Sequence, residues 1–176
     1  MIATSRLVLR SWRGDDLDAF HAINSDPEVM ATLGPVMSRD EVAALIARMQ
    51  AMEARDGHCF WALERTDDAR LIGWCGVIRG TAGPVEGKAE IGWRLARAAW
   101  GQGFASEAAV ATIEWVQRNL PDPDVWAITA TVNTRSRAVM ERLGMHRRPG
   151  LDFDHPSVPE GSPLRPHVTY SLELPR

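Results

Sequence analysis

The sequence predicts a mixed α/β (α+β) fold, and three observations support that prediction. Several short runs alternate apolar and polar residues with period two, as half-buried strands do. Other stretches repeat apolar residues every three or four positions, as amphipathic helices do. The clearest change between the two periods lies between Glu90 and Ala111, where a strand-like run, two glycines and a helix-like run follow one another. The predicted order of elements is β-α-α-β-β-β-α-β-α-β-β.

A strand and two helices are predicted to open the chain. Apolar residues recur within the run 6–13 in a pattern that fits a strand. Gly14-Asp15-Asp16 then supplies the cap of a first helix. Asp26-Pro27 stops or restarts that helix, because proline removes a backbone donor. Ser38 and Glu41 have the spacing of a capping box, so a second, longer helix is expected to begin there.

Strands are predicted to dominate the middle of the chain. The apolar runs 60–64 and 71–78 lie on either side of the polar turn Asp67-Asp68, which is typical of a hairpin. A third strand is expected from Glu90, and the amphipathic helix follows from Phe104.

The last third is predicted to add a strand, a short helix and a closing hairpin. The run 125–132 is β-branched and apolar enough for a buried strand. Thr134 is expected to cap a short helix, which Gly144 closes. The runs 145–153 and 168–174 then form the hairpin, with a proline-rich loop between them.

Composition narrows the class of protein. The 176 residues are 45% apolar and 24% charged with a net charge of −3, which is typical of a globular chain and argues against a nucleic-acid partner. No linker or repeat is evident, so residues 1–176 are expected to form a single domain.

Cys59 and Cys75 lack metal-site spacing, which predicts buried free thiols and no metal site. The sequence shows neither a signal-peptide core nor a membrane span, so we expect a cytoplasmic protein with no membrane partner.

The glycine turn before the central helix predicts an anion site. The first N–H groups of a helix lack internal partners, and the helix dipole makes that end partly positive. Gly101 and Gly103 let the backbone turn tightly and let a phosphate approach it closely. A Rossmann site is excluded, because Ser106 stands in place of its third glycine and Asn133 in place of its acid. The sequence also lacks the P-loop, HExxH and GxSxG motifs.

The order of elements and the segment Trp100-Gly101-Gln102-Gly103-Phe104-Ala105-Ser106-Glu107-Ala108 resemble the GNAT superfamily of acyl-CoA-dependent N-acetyltransferases. In that family a Gln/Arg-x-x-Gly-x-Gly/Ala turn cradles the coenzyme A pyrophosphate. Gly103 and Ala105 match this pattern, whereas Trp100 occupies the Gln/Arg position. The chain is similar over nearly its full length to the ribosomal-protein N-terminal acetyltransferase-like branch, in which that departure is familiar. Other matches to the branch are Arg6–Arg10, Asp26–Met30, Asn133-x-x-Ser136 and Leu143–Met145.

The resemblance implies a fold, a co-substrate and a set of binding residues. The fold is a central, mostly antiparallel mixed sheet of about seven strands with helices on both faces, and the co-substrate is acetyl-CoA. Leu95 and Ala96 would bond the pantetheine through their backbone, and Asn133 would reach the pantetheine or the thioester. The pyrophosphate would lie on the turn formed by Gln102, Gly103, Phe104, Ala105 and Ser106. Two of these residues have simpler alternative roles: Asn133 as the end of a strand and Ser106 as the cap of a helix.

Acetyl transfer needs a neutral amine, a stabilised oxyanion and a proton for the departing thiolate. Glu90 is the predicted general base, because it begins the strand that would carry the coenzyme and belongs to the polar face of that strand. The alternative is a surface carboxylate paired with Arg94, with water as the proton carrier. The usual general acid of the family is a tyrosine, but Met140 stands at the position where we align it. Ser136 is the replacement that the branch suggests, as a hydrogen-bond donor to the thiolate.

The predicted function is transfer of acetyl from acetyl-CoA to a primary amine by direct attack in a ternary complex. The acceptor is either a protein N-terminal α-amine or a small-molecule amine, and His155 in the proline-rich loop is an expected acceptor contact. A non-catalytic acyl-CoA-binding sensor is the alternative, because Met140 replaces the tyrosine. The sequence leaves open whether the protein is a monomer or a homodimer.

Overall fold

The computed structural model describes residues 1–175, in which five helices surround one nine-stranded sheet. The strands are β1 Ile2–Ala3, β2 Leu7–Arg10, β3 Phe60–Arg65, β4 Leu71–Arg79, β5 Ala89–Leu95, β6 Asp124–Ala130, β7 His146–Arg147, β8 Phe153–Asp154 and β9 Pro166–Glu173. The helices are α1 Asp16–Asn24, α2 Pro27–Met30, α3 Arg39–Asp56, α4 Phe104–Asn119 and α5 Thr134–Arg142. None of these helices is both long and apolar enough to cross a membrane.

The sheet is mixed and mostly antiparallel, as the resemblance implied. Its order is β1-β2-β3-β4-β5-β6-β9-β7, and β8 also pairs with β9. Only β5 and β6 run parallel, joined by α4 in the crossover that a parallel pair requires. These two strands share a single register pair, Glu90 with Trp126, whereas β5 pairs with β4 along its whole length. Beyond Glu90, therefore, β5 and β6 separate.

Helices cover both faces of the sheet. The Thr112 hydroxyl of α4 lies 3.6 Å from the Cys75 sulfur of β4, and Asn24 of α1 bonds Arg94 of β5. Cys75 and Arg94 belong to opposite faces, because Arg94 faces Trp74 across the strands and successive residues of a strand alternate. Ala108, Ala109, Thr112 and Val116 give α4 a fully buried face against the sheet.

Several local predictions are confirmed. Ser38 and Glu41 form the capping box, with the Ser38 N–H 2.7 Å from a Glu41 carboxylate oxygen, and α3 ends at Gly57 with φ +76°. The hairpin of β3 and β4 and the helix from Phe104 lie where they were predicted. Cys59 and Cys75 are buried free thiols, and burial raises the pKa of Cys75 to about 12.

The structure corrects or refines other local predictions. Asp15 precedes α1 without a side-chain cap, and the neighbouring Asp16 instead accepts two hydrogen bonds of 2.8 Å from the buried Arg10 guanidinium. The cap of α5 is Asn133 and not Thr134, because the Asn133 side chain accepts from the Ser136 N–H at 3.2 Å. Proline at position 27 restarts a helix, the four-residue α2. The predicted mixed sheet of about seven strands is confirmed, and its count of nine includes three strands of only two residues, β1, β7 and β8.

Candidate active site

A cavity of about 530 Å³ opens where β5 and β6 separate. One wall is the end of β5, the second is the turn before α4 and its first residues, and the third is the beginning of α5. A fourth wall comes from α2 and the turn after it. The lining includes Val29, Leu33, Trp93, Arg94, Leu95, Trp100, Gly101, Gly103, Phe104, Ala105, Ser106, Asn133, Arg135, Ser136 and Arg142.

The N-terminus of α4 presents unpartnered backbone donors to this cavity. Gly101 and Gly103 have φ values of +73° and +82°, which only glycine adopts without strain. The first amide after them to bond a carbonyl is that of Glu107, which donates to the Gly103 oxygen at 3.0 Å. Within residues 1–175, the amides of Gly103, Phe104, Ala105 and Ser106 have no acceptor. Such a group of free donors at a helix N-terminus is suited to an anion.

Contacts with the N-terminal strand region hold the turn in place. The Arg6 guanidinium donates to the Glu107 carboxylate at 2.7 Å and to the Gln102 carbonyl at 3.0 Å, and it stacks on the Phe104 ring. The Gln102 side chain turns back to the Ala98 carbonyl at 2.7 Å and is outside the cavity lining. Gln102 therefore supports the turn with its side chain, and Arg6 is already neutralised by Glu107.

Trp100 connects the strand end, the turn and α5. Its indole N–H donates to the Leu95 carbonyl at 3.0 Å, and the Arg135 guanidinium carbon lies 4.1 Å from its ring centroid. Arg142 reaches the Ser106 hydroxyl at 3.4 Å from the same helix as Arg135. The sequence reasoning missed both arginines, although their spacing of seven residues places them on one helix face. Trp100, at the Gln/Arg position of the family motif, thus brings a guanidinium to the cavity.

The edge of β5 offers less backbone than the resemblance implied. The Ala96 N–H donates to the Ile72 carbonyl at 2.8 Å, and the Ala96 carbonyl accepts from Ala99 at 2.9 Å. Both backbone groups of Ala96 are thus engaged, which leaves it no free donor for a ligand. The Leu95 N–H points the opposite way from that of Ala96, into the gap beside β6, because successive residues alternate along a strand.

Asn133 and Ser136 both line the cavity, but their side chains differ in availability. The buried Asn133 caps α5 through its oxygen and donates from its nitrogen to the Thr129 hydroxyl at 3.0 Å. The half-buried Ser136 hydroxyl has no hydrogen-bond partner within the described residues. Met140 is 1% exposed and packs in the core, and Tyr170 is buried with its hydroxyl on Glu141 at 3.1 Å. Ser136 is therefore the free hydroxyl that α5 presents to the cavity.

Glu90 lies on β5 outside the cavity lining. Burial raises the pKa of its carboxyl group to about 7, and no hydrogen bond or ion pair engages that group within residues 1–175. The alternative of a Glu90–Arg94 ion pair is wrong, since Arg94 bonds Asn24 instead. Trp93, which does line the cavity, follows Glu90 by three residues, or about 10 Å of strand. Proton transfer between Glu90 and the cavity would therefore need intervening water.

His155 lies away from the cavity lining as well. Its ring is 4.8 Å from that of His167, and its Nδ1 accepts from the Ser157 N–H at 3.2 Å. Burial lowers the pKa of both histidines. In the described part of the chain, no three His, Cys, Asp or Glu side chains are grouped as a metal site would require.

Comparisons with known proteins agree with this geometry. The family model described as "Acetyltransferase (GNAT) domain" matches residues 6–146. A Bacillus licheniformis protein named "Uncharacterized N-acetyltransferase p20" is 30% identical over 86% of this chain and 85% of its own length. The GNAT-family acetyltransferase structure of Bacillus anthracis shares the fold at a TM-score of 0.81 and 23% identity, covering 98% of this chain and 97% of the other.

Two further solved structures carry the names of their acceptors. Spermidine N-acetyltransferase from Vibrio cholerae, in complex with CoA and spermine, has a TM-score of 0.74 at 18% identity and covers 97% of this chain and 96% of its own. The Salmonella typhimurium enzyme that modifies the N-terminal serine of ribosomal protein L7/L12 has a TM-score of 0.79 at 16% identity and covers 98% of this chain and 97% of its own. At these identities the likeness shows the fold alone. The family model matches most of the chain, and p20 is 30% identical over most of its length. Together they show that the chain belongs to the GNAT acetyltransferase family and is an acetyl-CoA-dependent acyltransferase.

Proposed function

We propose that the protein transfers acetyl from acetyl-CoA to a primary amine by direct attack in a ternary complex. The observation that carries the proposal is the set of unpartnered amides from Gly103 to Ser106 in the wall of the cavity. A diphosphate fits such a site, because it supplies several acceptors and a negative charge to the positive end of the helix dipole. Glycine at position 103 leaves the approach to these amides open, since a Cβ there would contact only Arg6, at 3.5 Å.

Arg135 and Arg142 supply the positive charge that the diphosphate needs. Both are exposed and line the cavity, and Arg135 is held against the Trp100 ring. Within residues 1–175 neither arginine has a carboxylate partner. In this role Arg135, positioned by Trp100, replaces the cation that the Gln/Arg position of the family motif would provide.

The chemistry is an attack by the neutral amine nitrogen on the thioester carbonyl carbon, followed by cleavage of the C–S bond. The Leu95 N–H, which points into the gap between β5 and β6, is the proposed donor to the pantetheine. The Ser136 hydroxyl donates to the departing thiolate sulfur. Glu90 accepts the proton of the amine through water, and its raised pKa of about 7 suits a base at neutral pH. Asn133 orients α5 and so positions Ser136.

The acceptor is proposed to be a protein α-amine or a small-molecule amine, and the ribosomal-protein N-terminal branch is our preferred assignment within the family. Asn133 and Ser136, which match that branch, lie together at the cavity, and the Salmonella enzyme shares the fold.

One observation favours the alternative of an acyl-CoA sensor. Met140 is buried in the core, and the hydroxyl of Tyr170 is bound to Glu141, so neither of them places an acid at the cavity. A sensor would bind acetyl-CoA in the same cradle without releasing free thiol.

The test combines calorimetry with a thiol-release assay. Acetyl-CoA is titrated into the protein, and free CoA thiol is then measured with spermidine and with a serine-initiated peptide as acceptors. Heat of binding together with amine-dependent thiol release is the expected result. Binding without thiol release for any amine would favour the sensor, and the absence of any binding heat would overturn both functions.

A further inference from the structure

Arg94 is a cavity residue whose positive charge has no anionic partner within residues 1–175. It is half-buried on β5, and its Nη1 atom donates to the Asn24 side-chain oxygen and lies 3.9 Å from the Met37 sulfur. The Nε atom is shielded from solvent and has no acceptor within the described residues. Nη2 has no acceptor in residues 1–175 either, but it is not shut off from solvent. The Nε/Nη2 edge of this guanidinium is therefore unoccupied.

A guanidinium in this state is unusual, because burial of an unpaired charge is unfavourable. Burial lowers the pKa of Arg94 to about 10. The same sheet contains a buried arginine with a structural role, and there the chain provides two carboxylates: Arg10 bonds Asp16 at 2.8 Å and Glu64 at 2.7 Å. No carboxylate of the described residues neutralises Arg94 in this way, and we therefore look for its counter-ion in a bound ligand.

The Arg94 side chain is held in position by groups that carry no charge. Asn24 is fully buried, and its amide nitrogen donates to the Phe20 carbonyl at 2.7 Å, so its oxygen is fixed toward Arg94. The Arg94 guanidinium also lies over the Trp74 ring, which itself stacks on Phe60 at 4.2 Å. These contacts orient the guanidinium in advance, as a site for a bound anion requires.

The charge of the cavity lining disfavours a purely cationic acceptor. Arginines 94, 135 and 142 line it, and no Asp or Glu does within residues 1–175. Glu28 of α2 is exposed and bound to Arg97 at 2.6 Å. A polyamine would bring further positive charge to this lining without a carboxylate to receive it. Arg94 packs on α1 and on the loop before α3, whereas Arg135 and Arg142 project from α5 beside the proposed phosphate cradle.

We propose that Arg94 binds a carboxylate of the acceptor, so that the acceptor is a primary amine that also carries a carboxylate. This inference rests on the proposed acetyltransferase function and specifies its substrate class. The carboxylate meets the Nη2 atom first, along the Nε/Nη2 edge. Arg39 uses that same edge to bind Asp18 elsewhere in the chain, at 3.0 and 2.8 Å. Val29 and Leu33 then supply an apolar wall beside it.

The test compares acceptors that differ only in the carboxylate. Free L-amino acids and their carboxamides are assayed for thiol release at saturating acetyl-CoA, with wild-type protein and with Arg94→Gln. Intrinsic differences in amine reactivity cancel when each acid-to-amide ratio is compared between the two proteins. We expect Arg94→Gln to raise KM for the acids about 10- to 100-fold, the usual range for loss of a hydrogen bond to a charged group, and to leave KM for the amides unchanged. A second series of C-terminally amidated peptides, with and without an acidic side chain, separates a free amino acid from an acidic peptide as the source of the carboxylate.

Two further variants separate recognition from a structural role. Arg94→Lys keeps the charge and should retain part of the preference for acids, whereas Arg118→Gln removes an exposed guanidinium that binds Glu114 and should behave as wild type. An equal loss for acids and amides, accompanied by a lower Tm, would mean that Arg94 only braces the fold. A rise in KM for acetyl-CoA in place of the acceptor would assign Arg94 to the coenzyme. Either result overturns the inference.

A binding experiment tests the anchor even if no acceptor is turned over. N-acetyl amino acids and their carboxamides are titrated into the CoA-saturated protein as product probes. Tighter binding of the acids, lost in Arg94→Gln, supports the anchor independently of turnover. Equal binding of acids and amides refutes the anchor while leaving the acetyltransferase proposal intact, and failure of CoA itself to bind refutes the latter.

Discussion

Glu90→Gln is expected to stabilise the protein above neutral pH and to slow acetyl transfer. Glu90 is half-buried, burial raises the pKa of its carboxyl group from the usual 4.5 to about 7, and no side chain or backbone group of residues 1–175 compensates its charge. The folded state therefore holds this proton more tightly than the unfolded state, so stability is lost as the pH rises from about 4.5 to about 7. At about 1.4 kcal/mol for each tenfold change in proton affinity, the loss reaches at most ~3.5 kcal/mol.

Glutamine at position 90 carries no charge and avoids this loss. At pH 8 the variant is expected to be more stable than wild type by up to ~3.5 kcal/mol, which raises Tm by several degrees at about 2–4 °C per kcal/mol for a chain of this size. At about pH 5 most of the difference should vanish, because the wild-type carboxyl group is then protonated in the folded state. The rate of the wild type should rise with pH and level off above about 7, and the variant should lack this rise.

The assay measures Tm between pH 5 and pH 8 by scanning calorimetry, and turnover by thiol release at saturating acetyl-CoA. Glu86→Gln is the matched control, since it removes an exposed carboxylate three residues before β5. A difference in Tm that does not change with pH would refute the uncompensated burial of Glu90. A pH-dependent gain in Tm with unchanged turnover would keep the burial and remove the role as a base.

Three other changes test the coenzyme cradle and the thiolate donor. Gly103→Ala and Gly144→Ala each place alanine at a left-handed φ, +82° and +76°, and should each lose about 1–2 kcal/mol of stability. Only Gly103→Ala should weaken acetyl-CoA binding, by about tenfold or more as measured by calorimetry. Equal dissociation constants for the two variants would contradict the cradle. Ser136→Ala should lower kcat about tenfold or more with little change in the dissociation constant of acetyl-CoA, and an unaltered kcat removes the thiolate donor. Arg135→Gln combined with Arg142→Gln should weaken binding and flatten its dependence on salt, whereas a wild-type salt profile would show that neither arginine meets the phosphates.

The parts of the site that the sequence predicted depend on short-range rules. The glycine turn was predictable because Gly101 and Gly103 precede an amphipathic run, and both adopt the positive φ that glycine permits. The capping box of Ser38 and Glu41 is likewise a contact between residues three positions apart. Asn133 and Thr134 are both acceptable caps, so local rules alone could not select between them.

The parts that the sequence could not predict depend on contacts between distant residues. Arg135 reaches Trp100 and Arg94 reaches Asn24 across large sequence separations, and neither helical nor strand periodicity encodes such pairs. Ala96 illustrates the same limit, because its amide is occupied by the carbonyl of Ile72 on a neighbouring strand. The two-residue strands β1, β7 and β8 are too short to show any alternation.

A single irregularity of the sheet connects the cavity with the unusual state of Glu90. Strands β5 and β6 meet only at Glu90 and Trp126, and the cavity opens beyond that point because their edges have no strand partner there. At the meeting point itself the sheet is closed, and Gly80 packs so near that a Cβ there would lie 3.0 Å from a Glu90 carboxylate oxygen. Lys88, the cation closest in sequence, is stacked on the Trp126 ring at 3.6 Å and makes no ion pair with Glu90. The closed end of the strand pair thus desolvates a carboxylate, and the open end exposes backbone donors, so that one local geometry accounts for both the raised pKa of Glu90 and the cleft.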